Sequence, residues 1–123
     1  MQKKNKRRTP KRDRTAPIYS VVDLETTGTS VNHGDRIIQI GCVLVQDGQV
    51  INHFETKVNP REKIPRAVVQ LTGIQDRDVR KAPLFEDVAG TIYSLLTGTT
   101  FVAHNVNFDF PYLNAEHERA GYP

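Results

Sequence analysis

Residues 18–28 read Ile18-Tyr19-Ser20-Val21-Val22-Asp23-Leu24-Glu25-Thr26-Thr27-Gly28: a β-prone run, two carboxylates around a leucine, then a hydroxyl-rich turn. The run predicts a first strand ending at Asp23-Leu24-Glu25. In a strand, residues two apart share a face, so Asp23 and Glu25 project together, roughly 6.5–7 Å apart along the backbone. Open α/β sheets commonly present their sites at such a strand end, where the following turn supplies polar groups.

Working outward, Arg36-Ile37-Ile38-Gln39-Ile40-Gly41-Cys42-Val43-Leu44-Val45 is apolar on both parities and predicts a central strand buried on both faces. Asp47-Gly48 supplies a tight hairpin turn. Val50–Val58 follows, with polar residues at 53, 55 and 57, as an outer strand with one wet face. A short helix is expected over Arg66–Leu71, closed by Gly73. A longer one is marked by Leu84, Val88, Ile92, Leu95 and Leu96, with Gly98 as its stop. Thr100-Phe101-Val102-Ala103 predicts a fourth strand running into His104-Asn105. Pro111 is tolerated in the first turn of a helix, which places the start of the last helix near Asn107–Asp109 and its end at Gly121. The order β-β-β-α-α-β-α describes a mixed sheet with flanking helices, an α/β class. Nothing strand-like follows this helix, so the sheet is expected to be incomplete on its C-terminal side.

The 123 residues hold 17 Lys+Arg and 14 Asp+Glu, enough chain for one domain. The charge is uneven. Residues 1–14 carry eight bases and one acid, net +7, whereas 15–123 carry nine bases and thirteen acids, net −4. The basic pI of about 9.2 therefore belongs to the arm. Residues 1–16 are expected to be a disordered basic arm able to touch nucleic-acid phosphate, and 17–123 the folded domain. One cysteine, Cys42, excludes an internal disulfide and reads as a buried thiol in a reducing compartment. No stretch approaches the ~18 apolar residues of a membrane span, and no signal-peptide pattern opens the chain, so a cytoplasmic setting without membrane contact is expected.

Asp109 adds a third carboxylate at the start of the last helix, where the helix dipole favours an ionised acid. If the first and fourth strands are neighbours, Asp23, Glu25 and Asp109 converge, and such like charges repel unless a cation holds them. Oxygen donors suit Mg²⁺ or Mn²⁺; scattered histidines and one cysteine offer no soft tetrahedral set for zinc.

Val21-Val22-Asp23-Leu24-Glu25-Thr26-Thr27-Gly28 and Val102-Ala103-His104-Asn105-Val106-Asn107-Phe108-Asp109, with Leu71-Thr72-Gly73-Ile74 between them, resemble the DEDD-type 3′→5′ exonucleases. These are epsilon-subunit-like enzymes of ribonuclease H-like fold. The match spans residues 17–123 and looks most like the exonuclease domain joined to DinG-type helicases or Gram-positive replicative polymerases. The resemblance implies two-metal hydrolysis of DNA from its 3′ end, in replication or repair. Asp23 would bridge two divalent ions, Glu25 would bind the ion that activates water, and Asp109 would support the second. Leu24, Thr26 and Thr27 would contact the terminal nucleotide, with His104 and Phe108 beside it; the same residues also read as core and turn positions. The implied partners are single-stranded DNA or a DNA 3′ end and a helicase or polymerase module.

The family's third motif, a His-x₄-Asp pair carrying the general base, is missing. His104-x₄-Asp109 belongs to the second motif, and His33, His53 and His117 are followed at that distance by Ile38, Val58 and Tyr122. His53 and His117 read as surface histidines. A chain without the base is expected to be weak or inactive. Two other readings share the pattern: a catalytically silent nucleic-acid-binding or docking module of the same fold, and an internally cutting ribonuclease H-type nuclease.

Overall fold

The computed structural model describes residues 11–122. Four strands, β1 (Ile18–Thr26), β2 (Ile37–Gln46), β3 (Gln49–Lys57) and β4 (Thr100–Val102), form one mixed sheet in the order β3-β2-β1-β4. The helices are α1 (Arg66–Thr72), α2 (Asp76–Val79), α3 (Phe85–Leu96) and α4 (Val106–Arg119), with a 3-10 turn at Val31–His33. β1 pairs antiparallel with β2 and parallel with β4, so the first and fourth strands are neighbours. The α/β mixed sheet with flanking helices is the architecture the sequence predicts.

Period-two alternation in β1 buries Ser20, Val22, Leu24 and Thr26 and turns Tyr19, Val21 and Asp23 outward. The buried side meets α3 and α4, where Phe85, Ala89, Ile92, Tyr112 and Leu113 pack on Val22, Leu24, Ile40 and Cys42. Full burial of an aliphatic side chain such as Ile37 or Ile40, both at 0% exposure, contributes about 1.5–3 kcal/mol. Ile38, Ile64, Ile74 and Val79 form a second, smaller core under α1 and α2.

β2 departs from expectation. Its burial alternates, with Gln39, Gly41, Val43 and Val45 only half-buried, because the described helices of the main core cover one face of the sheet. α4 begins at Val106, which puts Pro111 inside the helix rather than in its first turn. Asn105 caps that start, its carbonyl accepting the amides of Phe108 and Asp109, and the proline removes one later ladder bond. α2 was not predicted: four residues are too few for periodicity, and its signal was the Gln75–Asp78 capping box. Left-handed Gly73 and Gly121 end α1 and the α4 segment as expected.

Of the basic arm, residues 1–10 lie outside the described residues. Residues 13–16 form a turn held on the β2–β3 hairpin. The Asp13 amide donates to Asp47 Oδ2 at 2.7 Å, and Gln46 Nε2 donates to the carbonyls of Arg14 and Ala16 at 3.1 and 2.8 Å. Among the described residues, no helix is long and apolar enough to cross a membrane.

Candidate active site

Asp23 and Glu25 stand on the sheet face opposite the main core, because β1 devotes its even positions to that core. Across the ladder they meet Gly41 and Gln39 of β2, and Gly41 leaves the space beside Asp23 without a side chain. On the other flank, β4 runs parallel to β1 and ends at Val102 beside Val21. The chain then passes through His104 to the Asn105 cap, which delivers Asp109 in the first turn of α4. Asp109 is buried at 6% exposure, Glu25 is half-buried, and Asp23 and His104 are exposed.

The electrostatics show one shared field. Burial, then the charges of Asp23 and Asp109, raise the Glu25 carboxyl above its ordinary range. Burial and then Asp23 raise Asp109, against a smaller opposing pull from the amides of Asn105 and Asp109 itself and from His104. Hard oxygen donors on this end of the sheet, two of them holding their protons more tightly than usual, suit a divalent cation of the Mg²⁺ or Mn²⁺ kind. Among the described residues, no three His, Cys, Asp or Glu side chains are drawn together as a formed metal cage. The donor chemistry thus fits, while closing the carboxylates around an ion requires them to move inward against mutual repulsion.

The turn after the carboxylates is internally bonded. Thr26 Oγ1 and Tyr112 Oη both donate to the Gly28 carbonyl at 2.6 Å. Thr27 Oγ1 donates to Glu62 Oε1 at 2.9 Å and accepts the Arg36 amide at 2.9 Å, while the Thr27 amide donates to the Arg36 carbonyl at 2.8 Å. A Cβ on Gly28 would overlap the Asp35 carboxylate, which accepts the Ser30 amide. Both threonine hydroxyls thus donate within the fold. The Leu24 side chain lies in the core at 6% exposure, facing away from Asp23 and Glu25. Phe108 is half-buried, its ring 4.8 Å from that of Tyr112.

Two further residues organise this end of the molecule and were not anticipated. Glu116, at 2% exposure, accepts Arg36 Nε and Nη2 at 2.9 and 2.7 Å, Arg119 Nη1 at 3.0 Å and the Ile37 amide at 3.2 Å. His117 is not a surface residue. It is 7% exposed, lies within 3.0 and 3.2 Å of the Leu113 and Ala89 carbonyls, and sits among the rings of Phe85, Tyr93 and Tyr122. The available signal was spacing: 109, 112, 113, 116 and 117 lie on one helical stripe, and all are buried.

The fold is a ribonuclease H-like α/β domain with two carboxylates, Asp23 and Glu25, on one face at the end of its first strand. The model of the RNase_T family, described as an exonuclease family, matches residues 20–123, and the chain belongs to this family. Among curated relatives it is 42% identical over 104 residues to the 3′-5′ exonuclease DinG of Bacillus subtilis, covering 85% of this chain and 11% of that protein. It is 39% identical over 111 residues to a PolC-type DNA polymerase III of Staphylococcus haemolyticus, covering 90% and 8%. The chain thus spans about a tenth of the length of these relatives. Exonuclease I in its product-bound structure superposes with a TM-score of 0.78 at 24% identity, covering 87% of this chain and 26% of that one. Exonuclease I of E. coli in complex with a dA16 oligonucleotide gives 0.75 at 25% identity, covering 86% and 24%.

Proposed function

We propose that this chain carries the carboxylate half of a 3′→5′ exonuclease site that hydrolyses DNA from its 3′ end, in replication or repair. The observation that carries this reading is the placement of Asp23 and Glu25 on one face of β1 and of Asp109 at the start of α4, near enough that the Asp23 charge acts on both of the others. Asp23, Glu25 and Asp109 would hold two divalent ions, Mg²⁺ or Mn²⁺, which when bound supply an activated water and stabilise the departing 3′-oxygen. The protein's own part is positional. β1 fixes Asp23 and Glu25 on one face, the Asn105 cap orients Asp109, and Tyr112 ties α4 to the turn at Gly28. Leu24, Thr26 and Thr27 would contact the terminal nucleotide through backbone and hydroxyl groups, with His104 and Phe108 beside it. The fitting partners are single-stranded DNA or a DNA 3′ end and a polymerase or helicase module.

The sequence holds no second His-x₄-Asp pair, and losing a positioned base costs about 10²–10⁴ in rate. This observation favours a second reading, a metal- and nucleic-acid-binding module without turnover. Mn²⁺-dependent degradation of 5′-labelled single-stranded DNA, compared with the Asp23→Ala, Glu25→Ala double variant, separates the two. Slow shortening from the 3′ end that stops at a blocked terminus and disappears in the variant supports the exonuclease. No shortening with Mn²⁺ binding intact supports the silent module, and cleavage of a 3′-blocked strand would overturn both.

A further inference from the structure

Basic residues are unevenly placed within the folded part of the chain. Of the nine between 15 and 123, six fall in 61–81: Arg61, Lys63, Arg66, Arg77, Arg80 and Lys81. With Glu62, Asp76 and Asp78 the segment carries +3, while the rest of 15–123 carries −7. Elsewhere, Arg36 and Arg119 are both bound to Glu116, which leaves Lys57.

Within the segment acids and bases are alike exposed, but each acid has a carboxylate oxygen engaged by a donor of the fold. Asp76 Oδ1 accepts the Ile64 amide, Asp78 Oδ2 accepts the Gln75 amide, and Glu62 Oε1 accepts the Thr27 hydroxyl. Arg61 pairs with Glu86, but Lys63, Arg66, Arg77, Arg80 and Lys81 are exposed and have no ion-pair partner among the described residues. The local carboxylates therefore act as caps and braces, and five cations face solvent.

The segment is fixed at the carboxylate end of the sheet. Ile64, Ile74 and Val79 pack on Ile38 at the start of β2, and that start pairs with the end of β1 through Glu25↔Gln39 and Thr26↔Ile37. The bond from Thr27 to Glu62 joins the segment directly to the turn that follows Asp23 and Glu25. A strand of phosphates brought to three carboxylates on an acidic domain meets repulsion unless cations lie on its path, and the segment bonded to the turn after Asp23 and Glu25 is the part of the domain that carries them.

We infer that segment 61–81 is a phosphate-binding platform that carries a single strand of nucleic acid to the carboxylate end. The identity of this polyanion rests on the nuclease reading. Residues 13–16 of the basic arm lie apart from this segment, held on the β2–β3 hairpin beside the start of β1 and at the opposite end of that strand from Glu25.

The test uses the full chain bearing Asp23→Asn, which prevents degradation, and a 5′-fluorescein oligothymidylate about 12 nucleotides long, within the usual single-strand site sizes. Binding is read by anisotropy across a salt titration. Each phosphate contact contributes about 0.7 to the salt slope, so joint Lys63→Gln, Arg66→Gln, Arg77→Gln and Arg80→Gln substitution should lower the slope by up to about 3 and weaken binding about tenfold or more. Arg66→Lys, Arg77→Lys and Arg80→Lys together, which keep the charges, should preserve the slope and show that folding is not the cause. An unchanged slope in the glutamine variant, no binding by the parent, or loss of the whole slope on neutralising Lys3, Lys4, Lys6, Arg7 and Arg8 would overturn the platform. Mn²⁺ calorimetry on the chain without the Asp23 substitution reports the carboxylate site independently, so failure of the platform and failure of the nuclease reading give different results.

Discussion

Glu25 is half-buried on β1, with the Asp23 and Asp109 charges acting on it, and both it and Asp109 hold their protons above the ordinary carboxyl range. A carboxyl with a raised folded value binds its proton more readily in the folded state. Its stabilising contribution is full below the unfolded value and is lost as pH rises through the folded one. The metal-free protein therefore bears this cost at neutral pH. Glu25→Gln should raise the melting temperature of the metal-free chain at about pH 7.5, by a margin that shrinks as pH falls toward about 5. Scanning calorimetry in chelator checks this, and a variant less stable than the parent at neutral pH would contradict it. Asp23→Asn should weaken Mn²⁺ binding by calorimetry far more than Asp13→Asn, whose parent carboxylate is bonded to Thr15 outside the cluster. Equal losses would remove Asp23 from the site. The carboxylates were legible because period two and a helix start fix their direction locally. The threonine hydroxyls and His117 were not, since Thr27 bonds Glu62 35 positions away and His117 reaches Ala89 28 positions away.

Elements were legible where pattern and punctuation agreed. The β2–β3 hairpin follows from Asp47-Gly48, whose φ values of 53° and 71° suit the strand twist. α3 follows from its apolar spacing. The covering of β2 could not be read from its own residues, because burial on the second face depends on what else packs there. Nor could the role of α4, which is anchored through the buried Glu116 as well as through hydrophobics. Glu116 gathers Arg36, Arg119 and the Ile37 amide, joining α4 to the entry of β2. Glu116→Ala leaves the half-buried Arg36 and the Ile37 amide without their acceptor and should cost about 1.5–3 kcal/mol in urea unfolding. Exposed Glu118→Ala should stay within about 0.5 kcal/mol. A loss under about 1 kcal/mol at Glu116 would show that the pair only breaks even.

At the scale of the molecule, the sheet has one face packed under α3 and α4 and another on which Tyr19, Val21 and Val102 are 43%, 42% and 39% exposed. β4 forms an edge of that sheet. Exposed apolar faces and open edges favour association. The isolated chain should bind the dye ANS and sediment faster as concentration rises, and Tyr19→Thr with Val21→Thr should reduce both. A chain that stays monomeric and dark with the dye would show that this face is tolerated in water.

The pairing of β1 with β4 also orders events in time. β1, β2 and β3 meet through short connections, whereas Ser20 and Thr100, joined at the β1–β4 seam, are 80 positions apart. Closing so long a loop is slow relative to zipping neighbouring strands. The three-stranded meander is therefore expected to gain hydrogen-exchange protection before β4 does in a pulse-labelled refolding experiment, and simultaneous protection would refute that order. Because Asp109 arrives only with β4 and α4, a nascent chain would bring its third carboxylate to the other two last, after the scaffold that must bear the repulsion has already set.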